Sequence, residues 1–444
     1  MKRFVSGAGI GLALVWASVA GAALEGPLVG CRVELDRAVL PADETLKAVV
    51  KVTLEAPKPP SDMERPPVNL SIVLDRSGSM NGEKIARARQ AAIEALHRLR
   101  SRDIFSLVVY NHTVETVVPP QSAANTAWIE SRIRRISSGG NTALFGGVSQ
   151  AAAEIRKNLG ESFVHRIVLL SDGLANVGPS QPEDLGRLGT ALRKEGISVT
   201  TVGVGTDYNE DLMARLAQKS DGNTYFVEHH ADLPRIFTAE LGDVLSVVAT
   251  KVNVTIECPD GVEPIGIIGR EGRIRGRTVE LDLNQLYGDQ EKYALVEVRM
   301  PAGRAGERRE VATARVRYEN PFTQRAENVH GRAVARFSRN EQDIRDNVND
   351  DVQRDYNVQW NAAVQNTAIE LADQGERREA AQLLEQSAER LQRVGRELGD
   401  EDLLRKAEEV EGQAAKLRAE PMSKRFRKSL RTEAYQEIHQ QKNR

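Results

Sequence analysis

The chain has 444 residues, of which 28% are charged and 5% aromatic, and a formal net charge of −2. This balance argues against a globally basic chain built for nucleic acid or an anionic membrane, and the length leaves room for two or three domains. Two cysteines, Cys31 and Cys258, are too few for a disulfide framework, although an exported chain could pair them.

Met1-Lys2-Arg3 precedes an apolar stretch from Phe4 to Leu24, rich in Gly and Ala, with small residues at Ala20 and Ala22. That pattern predicts a secretory signal over residues 1–23 and an exported protein, periplasmic or extracellular. A retained anchor helix is the alternative, because the stretch approaches spanning length. Leu28-Val29-Gly30-Cys31 also resembles a lipoprotein box. Against lipidation, Glu25, Gly26 and Pro27 interrupt the apolar run, and Cys31 opens a strand-like alternation. Membrane association is expected only if the N-terminal segment or Cys31 serves as an anchor.

Residues 24–65 read as β-strands followed by a proline-rich linker. From 66 to 248, strand and helix patterns alternate, which predicts a mostly parallel, doubly wound sheet with helices on both faces. Strands are expected at 68–74, 105–110, 164–170, 199–204 and 224–227, with an antiparallel edge at 114–118. Helices are expected at 83–100, 127–136, 144–159, 182–195, 210–219 and 233–247. Residues 249–340 return to β patterning, with 273–283 read as one strand, and predict a small sandwich that the strands of 24–65 join. The α/β region would then be an insertion into a β domain. Residues 341–444 are rich in Ala, Gln, Glu, Arg and Leu without a clean repeat, and predict a helical hairpin or coiled-coil tail, with helices at 361–374 and 378–398 and a second pair at 401–418 and 424–441.

The informative stretch is Leu74-Asp75-Arg76-Ser77-Gly78-Ser79-Met80, at the end of a buried strand. One carboxylate and two hydroxyls at alternate positions offer hard oxygen ligands, the chemistry of Mg²⁺. A plain strand-to-helix turn with a serine cap is the structural alternative. Two later stretches add to it: Gly139-Gly140-Asn141-Thr142-Ala143-Leu144 and Leu169-Leu170-Ser171-Asp172-Gly173. Open α/β sheets bind ligands beyond the carboxyl ends of their strands, which is where Asp75 and Asp172 fall.

Taken together, these stretches resemble the von Willebrand factor A domain and its metal-ion-dependent adhesion site, with five matches in family order. The resemblance covers residues 68–248; the β and helical flanks look like those of exported bacterial members, and the insertion arrangement resembles that of integrin and inter-alpha-trypsin inhibitor heavy chain relatives. It implies that Asp75, Ser77, Ser79, Thr142 and Asp172 surround one divalent cation, Mg²⁺ with Mn²⁺ or Ca²⁺ as alternatives. It further implies a non-enzymatic, adhesion-type module whose partner is a protein offering an acidic side chain, with no nucleic acid and no small-molecule substrate.

Two other functions compete with that one. In the first, the α/β domain is a scaffold and the helical tail drives assembly. In the second, Ser171-Asp172 and the seven histidines belong to an Mg²⁺-dependent hydrolase. The second is weak: there is no His-Glu-x-x-His helix and no Gly-x-Ser-x-Gly elbow, and the adjacent His229 and His230 point apart on an extended segment.

Overall fold

The computed structural model describes residues 27–59, 64–160, 163–283 and 285–441. The expected signal segment, residues 1–23, lies outside them. Strands β1 (Gly30–Leu35), β2 (Val39–Pro41) and β3 (Leu46–Ala56) open the described chain. The α/β domain follows as β4 (Val68–Asp75), α1 (Glu83–His97), β5 (Ile104–Tyr110), β6 (Val114–Ser122), α2 (Thr126–Arg134) and α3 (Leu144–Arg156). It continues through β7 (Val164–Ser171), α4 (Pro182–Lys194), β8 (Ile197–Val204), α5 (Glu210–Lys219), β9 (Thr224–Val227) and α6 (Leu233–Val244).

The sheet order is β6-β5-β4-β7-β8-β9, parallel except for β6. Every residue of β4, β7 and β8 is buried, as befits near-continuous apolar runs covered on both faces. The side chains alternate. Leu70, Ile72 and Leu74 pack with Ala88 and Ala92 of α1 and Phe237 of α6, whereas Val73 joins Leu144 and Val148 of α3 on the opposite face. Each such Leu or Ile contributes roughly 1.5–3 kcal/mol on burial. The chain turns to one side after β4 and to the other after β7, so the topological switch point lies between these neighbours.

The remaining strands are β10 (Val247–Glu257), β11 (Glu263–Ile268), β12 (Gly272–Arg275), β13 (Thr278–Leu283), β14 (Leu286–Tyr287), β15 (Gln290–Met300), β16 (Arg308–Asn320) and β17 (Arg325–Ser338). They form two layers with a shared core. One sheet runs β1-β3-β15-β11; the other runs β12-β13-β10-β16-β17-β2, with β14 beside β10. The chain leaves the sandwich after β3 and re-enters it at β10. Cys31 lies within β1 opposite Leu54, and both cysteines are free thiols.

Several element boundaries differ from the sequence reading, two of them with a clear physical cause. The helix expected to reach 247 stops at Val244, because Val247 already pairs with Tyr287 as the start of β10. The strand expected over 273–283 is a hairpin, broken at Gly276, whose φ of 58° suits the turn. The C-terminal region is helical, as read, and comprises α7 (Glu341–Arg345), α8 (Asp350–Asp373), α9 (Arg377–Leu398), α10 (Glu401–Ala419) and α11 (Lys424–His439). Helix α9 packs between α8 and α10, and α11 packs on the other flank of α8. Val352 of α8 seats on Val49 and Leu295 of the four-stranded sheet.

Helix α11 then docks on the α/β domain. Lys428 is buried against the Glu210 carboxylate and donates to the Tyr208 carbonyl at 2.6 Å. Arg427 pairs with Glu210, Asp211 and Asp373. Among the described residues no helix is long and apolar enough to cross a membrane.

Candidate metal centre

The site is built where β4 and β7 end. Asp75 is the last residue of β4 and fully buried. Its Oδ1 accepts the Ser77 N–H at 2.8 Å and its Oδ2 accepts the Ser171 hydroxyl at 2.8 Å. Burial pushes the Asp75 carboxyl above its usual range, against these hydrogen bonds, and the neighbouring Asp172 carboxylate pushes the same way. Beyond the strand the chain makes one 3₁₀ turn, Gly78–Met80, whose Met80 plugs into the core below. That turn presents Ser77 and Ser79 on one side, with their hydroxyl oxygens 3.1 Å apart. Ser79 donates to Asp172 Oδ1 at 2.6 Å, and Lys84, in the first turn of α1, holds Asp172 Oδ2 at 2.5 Å.

Thr142 arrives from the loop before α3. Its N–H donates to Asn176 Oδ1 at 2.8 Å, and its carbonyl accepts from the N–H groups of Asn176 and Val177. The Gly140 carbonyl accepts the Gly78 N–H and the Gly139 N–H donates to the Arg76 carbonyl, so this loop is stitched to the β4 loop. Gly140 has a φ of 86°, and a Cβ there would fall 2.2 Å from His112 Nδ1, so only glycine fits. Gly173 marks the centre of the cluster. A Cβ there would stand 3.4 Å from both Ser79 Oγ and Thr142 Oγ1, and 3.9 Å from Ser77 Oγ.

Three hydroxyls and two buried carboxylates therefore converge on one spot, and Ser79 opens it to solvent. The donor set fits a hard divalent ion. Adjacent ligands of an octahedron with ~2.0–2.1 Å bonds lie about 3 Å apart, close to the serine spacing. Among the described residues no group of three His, Cys, Asp or Glu side chains offers an alternative centre.

The roles of three participants escaped the sequence reading. Ser171 enters the sequence reading as part of the Asp172 stretch and as a hydrolase candidate, whereas its buried hydroxyl is spent on Asp75. Asn176 anchors Thr142 from an exposed loop and carries no sequence signal. Lys84 had a weak one: a lysine in the first turn of a helix opposes the helix dipole, a small cost that a nearby anion offsets.

Residues 69–239 match the von Willebrand factor type A domain family. The chain is 27% identical over 267 residues to an uncharacterized protein of Synechocystis sp., covering 58% of this chain and 63% of that one. It is 28% identical over 217 residues to human inter-alpha-trypsin inhibitor heavy chain H4, covering 47% of this chain and 23% of that one. The chain thus spans less than two thirds of the curated relatives it matches. A solved structure, the von Willebrand factor type A protein from Catenulispora acidiphila, superposes with a TM-score of 0.67 at 18% identity, over 88% of this chain and 89% of that one. That likeness establishes the fold, flanking sheets and helices included. The α/β domain between the two halves of the sandwich is a von Willebrand factor type A domain.

Proposed function

We propose that this domain is a metal-dependent protein-binding module, in which Asp75, Ser77, Ser79, Thr142 and Asp172 hold a divalent cation that captures an acidic side chain of a partner protein. The observation that carries the proposal is the convergence of three hydroxyls with two buried carboxylates beside a solvent-facing Ser79. Few carboxylates leave a hard cation under-neutralised, so the ion would supply Lewis acidity toward an external carboxylate. The protein's own residues position and desolvate the site: Ser171 and Ser77 fix Asp75, and Asn176 fixes Thr142. This role is non-enzymatic and needs no base or nucleophile. Mg²⁺ suits the donors, with Mn²⁺ and Ca²⁺ as alternatives, and the proposal places the module outside the cytoplasm.

Calorimetric titration with Mg²⁺ and Mn²⁺ tests the proposal, followed by capture of the partner from an extract of the source cells with and without chelator. Saturable binding that Asp75→Ala abolishes supports it. Equal metal affinity in the wild type and Asp75→Ala, or capture indifferent to chelator, overturns it.

A further inference from the structure

We propose that Lys84 sets the charge of this site, lowering its affinity for the cation and raising the affinity of the loaded site for an external carboxylate; the inference rests on the metal reading above. Both oxygens of Asp172 are engaged, Oδ1 by the Ser79 hydroxyl at 2.6 Å and Oδ2 by the Lys84 ammonium at 2.5 Å. The carboxylate is fully buried while the Lys84 side chain is 32% exposed. Lys84 therefore spans from the base of the site to the surface where a partner arrives. Asp75, by contrast, is held by neutral donors alone, the Ser77 N–H and the Ser171 hydroxyl.

The charges then sum simply. Asp75 and Asp172 bring two negative charges and Lys84 returns one positive charge, so the fixed site carries one net negative charge. A divalent ion leaves it one unit positive. Without Lys84 the same ion would be fully neutralised and would attract an incoming carboxylate less. The local setting argues that the pair is the reason for the lysine. Helix α1 begins at Glu83 with Gly82 as its cap, and no side chain caps its first turn. A cation at that end works against the helix dipole, so the helix gains nothing from Lys84.

This role makes two effects move in opposite directions. Lys84→Gln keeps a hydrogen-bond donor for Asp172 and removes the charge; Lys84→Met removes both; Lys84→Arg keeps the charge. Mn²⁺ is titrated into each full-length protein and followed by water-proton relaxation. Acetate is then titrated into the Mn²⁺-loaded proteins and followed by the same signal as it displaces bound water. Chelator-treated samples are melted to confirm folding. We expect Mn²⁺ to bind Lys84→Gln and Lys84→Met more tightly, and acetate to bind their loaded forms more weakly, each on the order of ten-fold. Lys84→Arg should stay near the wild type. Changes of the same sign, or none, in a protein that binds Mn²⁺ overturn the role of Lys84 and leave the metal reading standing. A wild-type protein that takes up no Mn²⁺ overturns both.

Discussion

Arg166 and Glu240 face each other 3.3 Å apart with neither side chain exposed. Arg166, on β7, also donates to the Gln285 side chain at 2.7 Å and the Tyr287 hydroxyl at 3.1 Å, both from the sandwich. Glu240, on α6, accepts from Thr200, Asn223 and Tyr225. One buried pair thus fastens four elements of the α/β domain to its host. Breaking such a pair strands the other charge, so Glu240→Ala should cost about 3–5 kcal/mol. Arg166→Met combined with Glu240→Leu should recover only part of that, because Gln285, Tyr287, Thr200, Asn223 and Tyr225 still lose these hydrogen bonds. Urea unfolding reads both, and a loss below about 1 kcal/mol for Glu240→Ala would mean the pair is not a fastener.

Asp221 carries a pH signature. Burial raises its carboxyl from 3.8 to about 7, opposed by Arg193, whose Nη1 lies 3.8 Å away. Between these values the folded protein holds a proton that the unfolded chain has released. Stability contributed by this residue therefore falls as pH rises from about 4 to about 7, by up to about 1.4 kcal/mol per pH unit, and is flat above. Its φ of 59° is one that asparagine accepts. Asp221→Asn should remove that slope and leave the mutant the more stable protein at pH 7.5. Lys292, lowered by burial to about 7, acts in the window above it. Parallel stability–pH curves for the two proteins between pH 4 and 7 would refute the assignment.

Gly173 offers a test of the site that spares the fold. Its φ lies outside the left-handed region, and an added methyl meets the Ser79 and Thr142 hydroxyls at 3.4 Å, ordinary contact. Gly173→Ala should change stability by less than about 1 kcal/mol while placing an apolar group among the oxygens. Mn²⁺ affinity should fall on the order of ten-fold. Unchanged affinity would show that the hydroxyls are not the ligands.

Gln441 acts as a short substitute strand on the sheet edge. Its Oε1 accepts the Thr224 N–H and its Nε2 donates to the Thr224 carbonyl, both at 3.1 Å. Gln441→Ala should speed exchange of the Thr224 amide on the order of ten-fold and leave β4 untouched. Hydrogen-exchange mass spectrometry resolves the two segments; equal effects on both would indicate global destabilisation instead.

The α/β order was legible because buried parallel strands declare themselves as apolar runs such as 68–74, and their glycine-rich loops follow at once. The candidate site was legible for a related reason: its hydroxyls and carboxylates lie a few residues past those runs. What sequence could not supply was who meets whom. Nothing in the sequence of α11 names a partner for its charges, yet Arg427 and Lys428 find Glu210 more than 200 residues away. Lys84 and Asp172 are likewise joined only by the closing of the sheet. Periodicity reports that a face exists, not which partner covers it. The same buried contacts bear on an isolated fragment 66–248, which would expose Arg166 and the β9 edge; we expect it to be less stable than the domain in place.

The pairing of β3 with β15 sets a timetable for the nascent chain. Ala56 lies opposite Gln290 and Leu46 opposite Met300, with the whole α/β domain between. At about 5–20 residues per second, the ribosome delivers the partner strand some ten to fifty seconds after β3 emerges. Throughout that interval Val50, Val52 and Leu54 wait on a strand with an open edge, the kind of surface that recruits holding factors or wrong neighbours. The α/β domain can assemble meanwhile, since its own sheet is complete by Val227. A chain arrested before residue 290 would thus carry a finished candidate site on an unfinished support.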